Sequence, residues 1–159
     1  MMHHKNDVQH VFLVGAKSLG AYGGYETFVY KLTEHHQNNR NIKYHVACKA
    51  NGVGCMDETK VDGVNMINNH EFEFHNAHCF KIDIPQIGPA QAIYYDVAAL
   101  NFCCKYIKEH KIEHPIVYIM ACRIGPFAKH YYKRIHALGG KVFINPDGHE
   151  WKRAKWNYW

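Results

Sequence analysis

The apolar residues of this chain fall in short runs separated by longer amphipathic stretches. His10-Val11-Phe12-Leu13-Val14 is a compact run that stops at Gly15, the pattern of a buried parallel strand. A loop holding Gly15, Gly20, Gly23 and Gly24 follows, and residues 25–37 then read as a helix with Phe28, Val29 and Leu32 on its inner face. Residues 42–48 predict a second strand. Between residues 51 and 85 the pattern breaks into strand-like pieces at 61–67, 71–75 and 79–84, with turn residues between them. From Gln91 to His110, Ile93, Val97, Leu100, Cys104 and Ile107 recur in steps of four and three, which marks one side of a long helix. Residues 115–120 predict the next buried strand and 126–138 the next helix, stopped by Gly139-Gly140. Residues 141–144 predict a last strand, which ends at Asn145-Pro146-Asp147-Gly148.

Strands alternating with helices predict an α/β fold, a parallel sheet covered by helices on both faces. Ligands of such sheets lie beyond the carboxyl ends of the strands, which brings three loops into consideration: residues 15–24, 121–125 and 145–151. With 159 residues and no linker, repeat or low-complexity tract, the chain reads as a single domain large enough to bury its own core.

Composition narrows the classes. Six cysteines are present, none in a Cys-x-x-Cys pair, and Met1-Met2-His3-His4-Lys5 is too short and polar for a secretory h-region; reduced thiols in a cytoplasmic protein are expected. No apolar run reaches the roughly 18 residues of a membrane span. The net charge of +5 is unevenly spread, about −1 over residues 1–115 and +6 over residues 116–159. A basic end suits an anionic partner, and equally an ordinary solvated face.

The glycine loop fails two familiar patterns. Ala21-Tyr22 stands where a P-loop needs its Lys-Ser/Thr, and Gly-x-Gly-x-x-Gly is absent. What remains is Gly23-Gly24 just before a helix: backbone able to approach an anion at a helix N-terminus, or a flexible turn, the reading the loop favours when judged alone. His75-x-x-His78-Cys79 is the tightest group of metal-ligand residue types, but no second cluster has zinc-site spacing, and no metal is expected. His35-His36, late in the first helix, suit its C-terminal dipole. Asp147, His149 and Glu150 form the one compact set of ionisable groups on a predicted strand-end loop, fit for hydrogen bonding to sugar hydroxyls or for capping a turn. Trp151, Trp156 and Trp159, interleaved with Lys152, Arg153 and Lys155, suit a sugar-stacking or anion-binding surface, or packing against another part of the protein.

Two segments carry a resemblance. Gly23-Gly24-Tyr25-Glu26-Thr27-Phe28-Val29 resembles the Gly-Gly-Phe-Glu-Thr-Phe-Val loop and helix of bacterial rhamnosyltransferase-like proteins of capsule and exopolysaccharide synthesis. Residues 145–156, Asn-Pro-Asp-Gly-His-Glu-Trp-Lys-Arg-Ala-Lys-Trp, resemble the Asp-Gly-x-Glu-Trp-Lys-Arg-x-Lys-Trp signature of the same family. The resemblance covers essentially the whole chain and implies the Rossmann-like N-terminal, acceptor-side half of a GT-B glycosyltransferase. It implies a nucleotide-sugar donor, a lipid-linked saccharide acceptor, peripheral contact with the inner membrane face, and a donor-binding domain outside these residues. Gly23 and Gly24 would then approach the donor diphosphate, while Asp147, His149, Glu150, Arg153 and Lys155 would line or support the cleft. It assigns no catalytic residue and no cofactor. Ala16, Ser18 and Gly20 depart from the family's usual threonine, glycine and proline, and His149 replaces an apolar residue. Glu26 and Glu34 match a Glu-x7-Glu spacing of related enzymes, which there belongs to the second domain; here the match is read as coincidence. The competing expectation is a non-catalytic domain whose tryptophan-rich end recognises a carbohydrate or a protein. No nucleic-acid module is recognised.

Overall fold

The computed structural model describes residues 7–20, 23–121 and 123–145. Seven strands form one sheet in the order β3-β4-β5-β2-β1-β6-β7. β1 (Gln9–Val14), β2 (Ile42–Lys49), β5 (Ala77–Ile82), β6 (Ile116–Ile119) and β7 (Lys141–Ile144) run parallel. β3 (Asn65–Met66) and β4 (Glu71–Phe74) do not: β4 is antiparallel to β5, and β3 to β4. The wholly parallel sheet expected from the sequence is corrected at this edge. His75 and Asn76, at φ 51° and 57°, turn the chain back between β4 and β5 without room for a crossover helix.

Helices cover both faces, as expected of a Rossmann-like α/β fold. Side chains alternate along β1, so Phe12 and Val14 face α2 (Gln91–Glu109) and α3 (Ala128–Ala137), while Leu13 faces α1 (Gly24–His36). On α1 the buried stripe is Glu26, Val29 and Thr33, and Phe28, expected inside, is exposed. On α2 the stripe is Tyr95, Asp96, Ala99, Leu100, Cys103, Cys104 and Ile107, with Ile93 exposed near the first turn. The five described cysteines are free thiols. Among the described residues, no helix is long and apolar enough to cross a membrane.

At the amino-terminal end of the strands, a line of hydrogen bonds crosses the sheet beneath α2. His10 Nδ1 lies 2.8 Å from His45 Nε2, His45 Nδ1 2.7 Å from His78 Nδ1, and His78 Nε2 2.7 Å from Glu71 Oε1. The carboxylate can only accept, so it orients the line: His78 donates to Glu71, His45 to His78, and His10 to His45, each ring neutral. Phe12 stacks on His45, and Tyr106 of α2 on His78.

Candidate functional site

β2, β1 and β6 are neighbours whose carboxyl ends open on the same side of the sheet. Strand order reverses at β1: α1 leads to β2 on one side, while β6 and β7 lie on the other, under the helices of the opposite face. Open α/β sheets bind ligands in the crevice at such a reversal. The glycine loop leaves β1 at that point.

Residues 15–17 of the loop are fastened from four directions. Arg123 Nη2 donates to the Gly15 carbonyl at 2.9 Å, and the Tyr95 hydroxyl to the Ala16 carbonyl at 2.6 Å. The Lys17 N–H donates to Glu26 Oε1 at 3.0 Å, and the Lys49 N–H to the Lys17 carbonyl at 2.8 Å. The loop following β6, α2, α1 and β2 thus each hold one backbone group. Over residues 15–17, three carbonyls and the Lys17 N–H are paired inside the protein.

Arg123 is itself held by a two-pronged ion pair, Nε to Asp96 Oδ2 at 2.8 Å and Nη2 to Oδ1 at 2.9 Å. Asp96 is fully buried. Burial pushes its carboxyl above the ordinary aspartate range against the pull of the guanidinium. Burial also works against the Arg123 charge, and the Asp96 carboxylate more than offsets it. Next along the loop, Ser18 is fully buried and its hydroxyl has no hydrogen-bond partner among the described residues.

The two glycines singled out in the sequence behave differently. Gly23 precedes α1 with φ 153° and ψ 161°, a region closed to side chains, and its carbonyl accepts from the Thr27 N–H at 3.0 Å. A Cβ there would fall on the Glu26 carboxylate that holds Lys17. Gly24 is exposed, and a Cβ on it meets nothing within 4 Å. Among the described residues no side chain caps the helix start, so backbone amides present its positive end. Glu26 and Glu34 share no role: Glu34 is half-buried and pairs with Lys31 at 3.8 Å.

Asp147, His149, Glu150, Arg153, Lys155 and the three tryptophans lie outside the described residues. His75, His78 and Cys79 do not converge: His75 hydrogen-bonds Thr33, His78 belongs to the histidine line, and the Cys79 thiol bonds its own strand. Among the described residues, no group of three or more His, Cys, Asp or Glu side chains could hold a metal ion. Sequence reasoning missed Tyr95, Asp96, Ser18, Lys17, Lys49 and Arg123. Arg123, Lys17 and Ser18 carried one signal, their places in the strand-end loops at 121–125 and 15–24.

A seven-stranded, mostly parallel sheet with helices on both faces and residues 15–17 fastened at its strand reversal defines an α/β domain of Rossmann-like fold. The chain belongs to the family described as domain of unknown function DUF1972, whose model matches residues 8–159. No curated protein matches it.

Proposed function

We propose that residues 8–159 form the acceptor-side half of a GT-B glycosyltransferase. The whole protein moves a hexosyl unit, rhamnosyl by the resemblance, from a nucleotide-sugar to a lipid-linked saccharide at the inner membrane face. One observation supports this most: residues 15–17 after β1 are held by hydrogen bonds from four elements, and Gly23-Gly24 stand at the start of α1 with no side-chain cap among the described residues. A rigid approach of backbone N–H groups stabilises a diphosphate without reorganisation during transfer. The second wall of the cleft, which holds most of the donor, belongs in this reading to a further domain. Asp147, His149, Glu150, Arg153 and Lys155 remain its proposed polar lining.

The test is the transfer rate of the full-length gene product carrying Gly24→Val. Space around Gly24 is open, so the melting temperature should hold, while transfer falls about 100-fold through lost approach to the diphosphate. Gly23→Val is the contrasting variant. It should lose roughly 1–3 kcal/mol of stability together with activity, because it displaces Glu26. A folded Gly24→Val enzyme with wild-type rates removes the phosphate role. A full-length protein that turns over no nucleotide-sugar removes the transferase reading and leaves the carbohydrate- or protein-binding domain.

A further inference from the structure

Three of the described lysines are half-buried: Lys43, Lys49 and Lys81. Lys43 faces Glu73 at 3.8 Å, and Lys81 pairs with Glu58 at 2.5 Å. Lys49 has no carboxylate partner among the described residues; its Nζ donates to the Val53 carbonyl at 3.0 Å. The Lys49 stem is half-buried while its ammonium reaches the exposed end of the loop, so water and one carbonyl are left to balance its charge.

The surroundings concentrate positive charge further. Lys49 closes β2, and its N–H is bonded to the Lys17 carbonyl at 2.8 Å, so two cationic residues leave adjacent strand ends. The loop after β2 makes room for both side chains with glycines at φ +85° and +84°. A Cβ on Gly54 would come within 2.7 Å of Lys17 Cδ, and one on Gly52 within 3.5 Å of Lys49 Nζ. Arg123 stands at the next strand end, on the Gly15 carbonyl. Lys17 has no ion-pair partner among the described residues. Burial, then the charges of Lys17 and Arg123, pull Lys49 below the ordinary lysine range, with Cys55 opposing.

We infer that the carboxyl ends of β2, β1 and β6 form a binding site for a phosphate-class oxyanion, with Lys49 and Lys17 as its charged ligands. Arg123, committed to Asp96 and Gly15, positions the loop and adds field. Its ligands are other groups than the Gly23-Gly24 amides, which adjoin it through the Glu26 carboxylate, and it rests on the transferase reading only for the origin of the phosphate. That phosphate belongs either to the acceptor or to the donor. Compact ammonium groups suit a phosphate of variable orientation, where a guanidinium fork would demand a planar partner.

Titration calorimetry of the 159-residue chain with inorganic pyrophosphate at neutral pH and low salt tests the site. Lys49→Met should weaken binding roughly tenfold or more and Lys17→Met severalfold, since each removes a close charge. Lys43→Met, at the other end of β2, should leave affinity unchanged, and circular dichroism checks that all three variants fold. Equal affinity in wild type and Lys49→Met, equal losses in all three variants, or no pyrophosphate binding by the wild type would each overturn the site. Displacement of bound pyrophosphate by geranyl phosphate identifies an acceptor phosphate, and displacement by uridine diphosphate a donor one. Lysine-dependent binding in a full-length protein that turns over no nucleotide-sugar keeps this site and sinks the transferase reading. The reverse pattern keeps the transferase and sinks the site.

Discussion

Removing the Arg123 side chain leaves Asp96 buried without a counterion and the Gly15 carbonyl without its donor. Breaking a fully buried pair costs about 3–5 kcal/mol; Arg123 keeps 31% of its side chain in water, so Arg123→Met should cost roughly 2–3 kcal/mol and lower the melting temperature by about 5–10 °C. Adding Asp96→Leu removes the orphaned carboxyl, and the double variant should recover at least half of the loss. Thermal denaturation of the three proteins checks both statements; a double variant less stable than Arg123→Met would show that the carboxylate is satisfied by other groups. Hydrophobic patterning could not foresee this pair. A charged residue at an inner helical position is penalised until its partner is known, and the partner comes 27 residues later in a loop without periodicity.

Among the elements, the strands and helices were legible because each repeats a buried position at its own period. The predicted β7 is the observed Lys141–Ile144, and the predicted second and third helices coincide with α2 and α3 to within about one turn. What escaped was polar burial: Glu26 and Thr33 displace Phe28 from the inner face of α1 because each finds a partner, the Lys17 N–H and His75 respectively. The histidine line escaped for the same reason, its members lying far apart in sequence and meeting only through strand pairing. It has a consequence for pH. Burial, reinforced by His78, pulls His45 down to about 2, and burial also lowers His10 and His78. Unfolded, these rings titrate near the ordinary value of 6.5. The neutral line therefore contributes its full stability above pH 6.5, and the contribution falls as pH drops below that value, since only the unfolded chain takes up the protons readily. Melting temperatures should hold between pH 7 and 8 and decline steadily from about pH 6.5 toward pH 5. His45→Phe, with a ring fit to stack on Phe12, should be less stable at neutral pH yet show a shallower acid decline. An unchanged acid slope in that variant would assign the decline to other groups.

For the molecule as a whole, the proposed division of labour makes a further expectation. Residues 1–159 alone should turn over no nucleotide-sugar and bind it only weakly, because transfer needs both reactants held in register between two walls. Calorimetry giving micromolar or tighter nucleotide-sugar binding by this chain would count against that division. The strand order also sets a timetable for synthesis. β1 is the hub of the sheet, pairing with β2 from Gln9↔Ile42 and with β6 from Val11↔Ile116. A ribosome adding about 5–20 residues per second delivers β6 some 5–20 s after β1. Throughout that interval one edge of an almost wholly apolar strand, Val11 to Val14, has no native neighbour. A nascent chain in this state offers its hub to any other exposed strand, so the residue run that organises the finished sheet is also the one most in need of a chaperone while the sheet is being made.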